Sequence, residues 1–99
     1  MTINMQRDDA MLTVGIEGRV DTQTAPELQE AVEAALEGVS SLVLDFTQVH
    51  YISSAGLRAI LTVQNRMDEK NGEMIIRGAN KNIVGIFKVT GFDTFLTLE

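Results

Sequence analysis

The sequence predicts an α/β domain, a mixed β-sheet with covering helices, and three observations carry that reading. The opening stretch alternates apolar and polar residues with a period of two. Farther on, a short apolar run, an amphipathic stretch and a second apolar run follow one another, the pattern of a parallel strand–helix–strand unit. Two further segments repeat apolar residues at three- and four-residue steps, as helices with one buried face require. Ninety-nine residues without a linker, repeat or low-complexity segment fit one domain over 1–99.

Element by element, Ile3 and Met5 alternate with polar neighbours, "RDDA" offers a turn, and Leu12, Val14 and Ile16 alternate again. This is an antiparallel hairpin with one buried face, ended by Gly18. In "TAPE", Thr24 and Glu27 have the spacing of a capping box, with Pro26 in the first turn where its missing N–H does little harm. Ala25, Leu28, Ala31, Val32, Ala35 and Leu36 then form one apolar stripe of a helix ending near Gly38, with Glu30, Glu33 and Glu37 on its solvated side. "SLVLDF" has the nearly continuous apolar character of a central strand covered on both faces. A helix from Ser54 to about Lys70 turns Leu57, Ile60, Leu61 and Met67 inward and stops at "KNG". With "EMIIRG" as the next buried strand, the unit is a right-handed parallel crossover. A third helix, Asn82 to Val89, buries Ile83, Val84 and Phe87 before Gly91, and "TFLTL" supplies a last short strand.

Charge and composition narrow the function classes. A formal charge of -6 is the wrong sign for a protein that binds nucleic acid by releasing counterions. It equally disfavours docking on an anionic membrane surface, and no apolar stretch reaches the length of a bilayer span. The opening residues "MTINMQRDDAML" carry acids where a signal peptide needs an apolar core, so the expected location is the cytoplasm. Without cysteine, and with a single histidine, the chain lacks the usual zinc ligands, and it contains no P-loop or dinucleotide fingerprint. No metal or cofactor is expected.

The chemistry concentrates in "VHYISSAGLR", where Ser53 and Ser54 stand side by side at the start of a helix. One hydroxyl suffices for an N-cap, and a capping serine contributes about 1 kcal/mol. The second is free for something else. Asp45, His50 and Ser54 offer the residue types of a nucleophilic triad, and Ser54-Ala55-Gly56 matches half of a G-x-S-x-G elbow. Position 52 is Ile, however, and His50 precedes Ser54 by only four residues on a loop, so an enzyme is not expected. Phosphorylation fits the local physics better. A phosphate at a helix N-terminus meets free amides and the positive end of the macrodipole, and Arg58 follows Ser54 by about one turn.

"LVLDFTQVHYISSAGLRAIL" resembles the signature region of STAS domains, particularly bacterial anti-sigma factor antagonists. Asp45 matches the acid that ends the family's strand, Tyr51-Ile52 its aromatic-aliphatic pair, and Ser53-Ser54-Ala55-Gly56 its D-S-[ST]-G helix opening. "EGRVDTQTAPELQEAV" resembles the family's G-x-[LV]-D-x-x-T-A segment, and "IFKVTGFDTFLTL" its C-terminal helix, Thr-Gly turn and last strand. The resemblance covers nearly the whole chain. It implies a STAS-type fold whose phosphoacceptor is Ser54. It further implies an anti-sigma factor antagonist that binds an anti-sigma factor/serine-protein kinase when unmodified, freeing a sigma factor, and lets go when phosphorylated. A serine phosphatase resets such a switch. Asp21, Thr22, Ser53, Ala55, Gly56 and Arg58 are the contact residues it implies, with Ser53 standing where relatives commonly carry Asp. The alternative within the same fold is a constitutive STAS interaction subunit of a transporter or lipid-trafficking complex.

Overall fold

The computed structural model describes all residues, 1–99. Strands β1 (Thr2–Asp8) and β2 (Met11–Val20) form the expected hairpin, turned at Asp9 with φ 56°. Helix α1 (Ala25–Ala34) leads to β3 (Ser41–Ile52), α2 (Ser54–Glu69) to β4 (Glu73–Arg77), and α3 (Lys81–Thr90) through a 3-10 turn at Phe92–Thr94 to β5 (Thr97–Leu98). The sheet order is β1-β2-β3-β4-β5, identical to the chain order. β1 and β2 are antiparallel, and every later pair is parallel across one helix.

The helices cover one face of this sheet. Leu12, Val14 and Ile16 of β2, Leu42, Leu44 and Phe46 of β3, and Met74 and Ile76 of β4 are buried, while the alternate residues are only half-buried or exposed. This corrects the expectation that "SLVLDF" is covered on both faces. Its outward apolar residue, Val43, is shielded within the sheet by its register partners Thr13 and Ile75 instead of by a second helical layer. Across the inner face, Phe46 of β3 and Phe87 of α3 meet with ring centroids 6.5 Å apart and planes inclined by 47°, within the distance range of interacting aromatic pairs.

β3 is also longer than its apolar run. It continues through "TQVHYI" to Ile52, replacing the loop expected there, and its register against β2 shifts twice. Gly15 pairs with Asp45 but Glu17 with Gln48, and Gly18 pairs with Val49 but Arg19 with Tyr51. Each step inserts one extra residue on β3, a β-bulge. The buried positions therefore run Phe46, Val49, Ile52 at steps of three, which hides the strand from a period-two reading. His50 lies on this strand and is exposed.

Two helix starts differ in kind. Asn80 caps α3 as its side chain accepts the Ile83 N–H at 2.9 Å, and Gly91 closes the helix with φ 80°. At α1 the expected capping box does not form. Thr24 is already in the helical region (φ -94°, ψ -23°), and its hydroxyl donates to the Arg19 carbonyl at 2.7 Å. Asp21 closes the turn that precedes the helix, its carboxylate accepting the N–H groups of Gln23 at 3.0 Å and Thr24 at 3.1 Å. The helix also stops at Ala34, short of Gly38, and Glu33 of its acidic side pairs with Arg66 of α2 at 3.2 Å.

Two glycines make opposite predictions. A Cβ on Gly56 would lie 2.7 Å from both the Val20 carbonyl oxygen and Ile52 Cγ1, whereas one on Gly85 meets nothing within 4 Å. Gly56→Ala is expected to destabilise the protein by about 1–3 kcal/mol through overpacking. Gly85→Ala, in mid-helix, is expected to stabilise it by about 0.5–1 kcal/mol. Urea denaturation of the two variants checks both signs.

Candidate functional site

The C-terminal end of β2 and the N-terminal end of α2 are joined at one point. The Ser53 N–H donates to the Val20 carbonyl at 2.9 Å, and Gly56 in the next turn is buried against the same residue. Asp21 follows Val20 directly, so the loop after β2 and the serine pair share one corner. Within the pair the roles are divided. Ser53 has extended backbone (φ -98°, ψ 176°) and is the N-cap, its Oγ accepting the Gly56 N–H at 3.2 Å. Ser54 is the first helical residue, exposed, and its hydroxyl makes no hydrogen bond.

Beside this corner, an open groove of ≈ 410 Å³ runs between α1 and α2. Ala25, Pro26, Ala55 and Ala59 give it a small-residue floor, with Thr22 at one end and Arg58 on the α2 wall. Of the six contact residues expected from the resemblance, Thr22, Ala55 and Arg58 line the groove together. Ser53, Gly56 and Asp21 hold the backbone that frames it.

Arg19 and Tyr51 extend the surface on the strand side, and sequence reasoning missed Arg19. The guanidinium carbon sits 4.2 Å from the Tyr51 ring centroid, and Arg19 Nε lies 3.6 Å from Asp21 Oδ2. The two residues are register partners only because of the second bulge in β3, so no linear motif announces the pair. The carboxyl of Asp21 is held below its ordinary value of 3.8, chiefly by the Thr24 N–H. Desolvation opposes this, and the Thr24 hydroxyl, the Gln23 N–H and Arg19 reinforce it.

The structure does not assemble a nucleophilic triad. Asp45 lies on the open face of the sheet, where it accepts the Thr47 hydroxyl at 2.6 Å and the Thr47 N–H at 3.0 Å, and pairs with Arg77 at 3.4 Å. These bonds, the Thr47 hydroxyl first, lower its pKa from 3.8. Six strand residues at about 3.3 Å each lie between it and Ile52, leaving it roughly 20 Å from the start of α2. No group of three or more His, Asp or Glu side chains is arranged to hold a metal ion. No helix is long and apolar enough to cross a membrane.

A mixed sheet in chain order, helices on one face, and a small-residue helix start abutting the loop after β2 define a STAS domain. The chain belongs to that family, which matches it over residues 2–99. Among its relatives is BtrV of Bordetella bronchiseptica, a candidate anti-sigma factor antagonist, 31% identical over 93% of this chain and 80% of its own. The anti-sigma-B factor antagonist of Listeria monocytogenes is 26% identical over 95% of this chain and 83% of its own. The fold is shared with the anti-sigma factor antagonist SpoIIAA in its unphosphorylated form, with a TM-score of 0.79 at 11% identity, over 99% of this chain and 87% of that one. The phosphorylated form from Bacillus superposes with a TM-score of 0.78 at 12% identity, over 99% and 91%.

The division between the serines predicts different costs of removal. Ser53→Ala, which loses the cap, is expected to destabilise by about 1 kcal/mol. Ser54→Ala, which loses no bond, is expected to stay within about 0.5 kcal/mol of the parent. Thermal or urea unfolding separates them. The two depressed carboxyls set an acid limb: their contribution is complete above the ordinary value of 3.8 and drains away as pH falls through the lowered folded-state values. Replacing both Asp21 and Asp45 with Asn is expected to flatten the fall in stability on that side, measured as unfolding free energy against pH.

Proposed function

We propose that this chain is an anti-sigma factor antagonist, switched off by phosphorylation of Ser54. The observation that carries the reading is the free, exposed hydroxyl of Ser54 beside a neighbour whose hydroxyl is committed to the cap. The names of the relatives and the SpoIIAA structures in two phosphorylation states support it. In this reading, the unmodified corner formed by Asp21, Thr22, Ser53, Ala55, Gly56 and Arg58 binds an anti-sigma factor that is also a serine-protein kinase, and a sigma factor is released. Thr22, Ala55 and Arg58 touch the partner; Asp21, Ser53 and Gly56 keep the two loops in the shape it recognises.

The kinase then transfers the γ-phosphoryl group of ATP to the Ser54 oxygen. ADP leaves and the hydroxyl proton passes to the kinase. The new dianion meets the open amides of the first turn and the positive end of the helix dipole, so the domain stays folded while its binding surface changes sign. A serine phosphatase restores the hydroxyl by hydrolysis. All of these steps belong in the cytoplasm.

With the partner kinase and ATP, Ser54→Ala is expected to take up no phosphate and to retain partner binding. Ser54→Asp is expected to bind about tenfold or more weakly, a loss of about 1.4 kcal/mol. Mass spectrometry of the labelled peptide and a pull-down with each variant read the two effects. Phosphate on Ser53 would move the assignment by one residue. Equal binding by Ser54→Ala and Ser54→Asp would overturn the charge switch and favour a constitutive STAS subunit.

A further inference from the structure

We propose that Arg58 captures the phosphate on Ser54 and thereby carries the modification across the groove to α1. This rests on Ser54 as the phosphoacceptor and adds the side chain that reads it. Ser54 and Arg58 stand at positions i and i+4 of α2, which brings their Cβ atoms to about 5–6 Å. Helical side chains lean toward the N-terminus, so the long Arg58 stem lies over the turn that contains Ser54. Its guanidinium is exposed and is in none of the ion pairs of the domain, although Glu30 lines the same groove.

The other charged groups of the corner are already committed. Arg19 is held between Asp21 and the Tyr51 ring, and the Asp21 carboxylate is filled by the amides of Gln23 and Thr24. Arg58 is thus the cation with a free fork of donors next to Ser54, and a planar fork matches phosphate oxygens in a way a lysine does not. Because Arg58 also forms the α2 wall of the groove, its capture alters that wall in two ways. The guanidinium is drawn toward the helix start, and a doubly charged group takes its place at the groove mouth, facing Thr22, Gln29 and Glu30 of the α1 side. A partner seated in the groove would lose a cation and gain an anion at one point.

The test uses the full chain prepared by chemical ligation with phosphoserine at position 54, so that the phosphate is present whatever the kinase does. Nuclear magnetic resonance shifts of the Arg58 Nε–H and of the amides of Thr22, Gln29 and Glu30 are compared with those of the unmodified chain. The phosphate is expected to shift all of them. In Arg58→Ala, exposed and helix-compatible, the α1-side shifts are expected to be largely lost while Ala55 and Gly56 still respond, and Arg58→Lys is expected to restore them in part. An Arg58 Nε–H unmoved by the phosphate, or α1-side shifts as large in Arg58→Ala as in the parent, would overturn the proposal. Failure of the phosphoacceptor reading is seen separately, as unmodified Ser54 after incubation with kinase and ATP.

Discussion

Where β2 ends, the Val20 carbonyl receives the Ser53 N–H, and the backbone of α2 passes so near that position 56 has no space for a Cβ. Almost every feature of the site depends on that close approach. It fixes where α2 begins, so Ser53 becomes the cap and Ser54 the first helical residue. It sets the loop after β2 against the same corner, which brings Asp21 and Thr22 beside a segment thirty residues later in the chain. The groove between α1 and α2 then follows from the placement of their N-terminal ends. A methyl group at this point would displace the loop, the helix start and the groove wall together.

The second organising constraint is the pair of bulges in β3. A regular strand continuing the alternation of Leu42, Leu44 and Phe46 would turn Val49 outward and carry Gln48 and His50 into the core. By adding one residue twice, β3 keeps Val49 and Ile52 in the core and turns Tyr51 out beneath Arg19. Bulges raise local twist and re-aim side chains. Here they deliver the chain to Ser53 in extended conformation, which is the backbone an N-cap needs.

Much of this was legible in the sequence because the signals were local. The hairpin's alternation, the stripes of the three helices and the doubled serine each involve residues within one turn or one strand of each other, and each element appears where its pattern places it, although Met5 of the hairpin is exposed, α1 ends at Ala34 and Val84 is only half-buried. The mistakes share a cause. "TAPE" has the spacing of a capping box, but Thr24 already has helical backbone and its hydroxyl donates to the Arg19 carbonyl in the preceding strand, so it caps no amide of α1. The far half of β3 does not announce itself as a strand because bulges replace the period of two with steps of three. Arg19 escaped notice because its partner lies in another strand, in a register that two insertions decide. Long-range hydrogen-bond partners and long-range register are not written in spacing.

The order of the sheet has a kinetic consequence. Strands that lie side by side in chain order never require distant segments to find each other, since each parallel pairing closes over a single helix. Loop-closure entropy is therefore met in small steps, since no pairing of the sheet skips over another strand. The hairpin and each strand–helix–strand unit are contiguous stretches of sequence, so every pairing of the sheet forms between segments that one helix or one turn holds close.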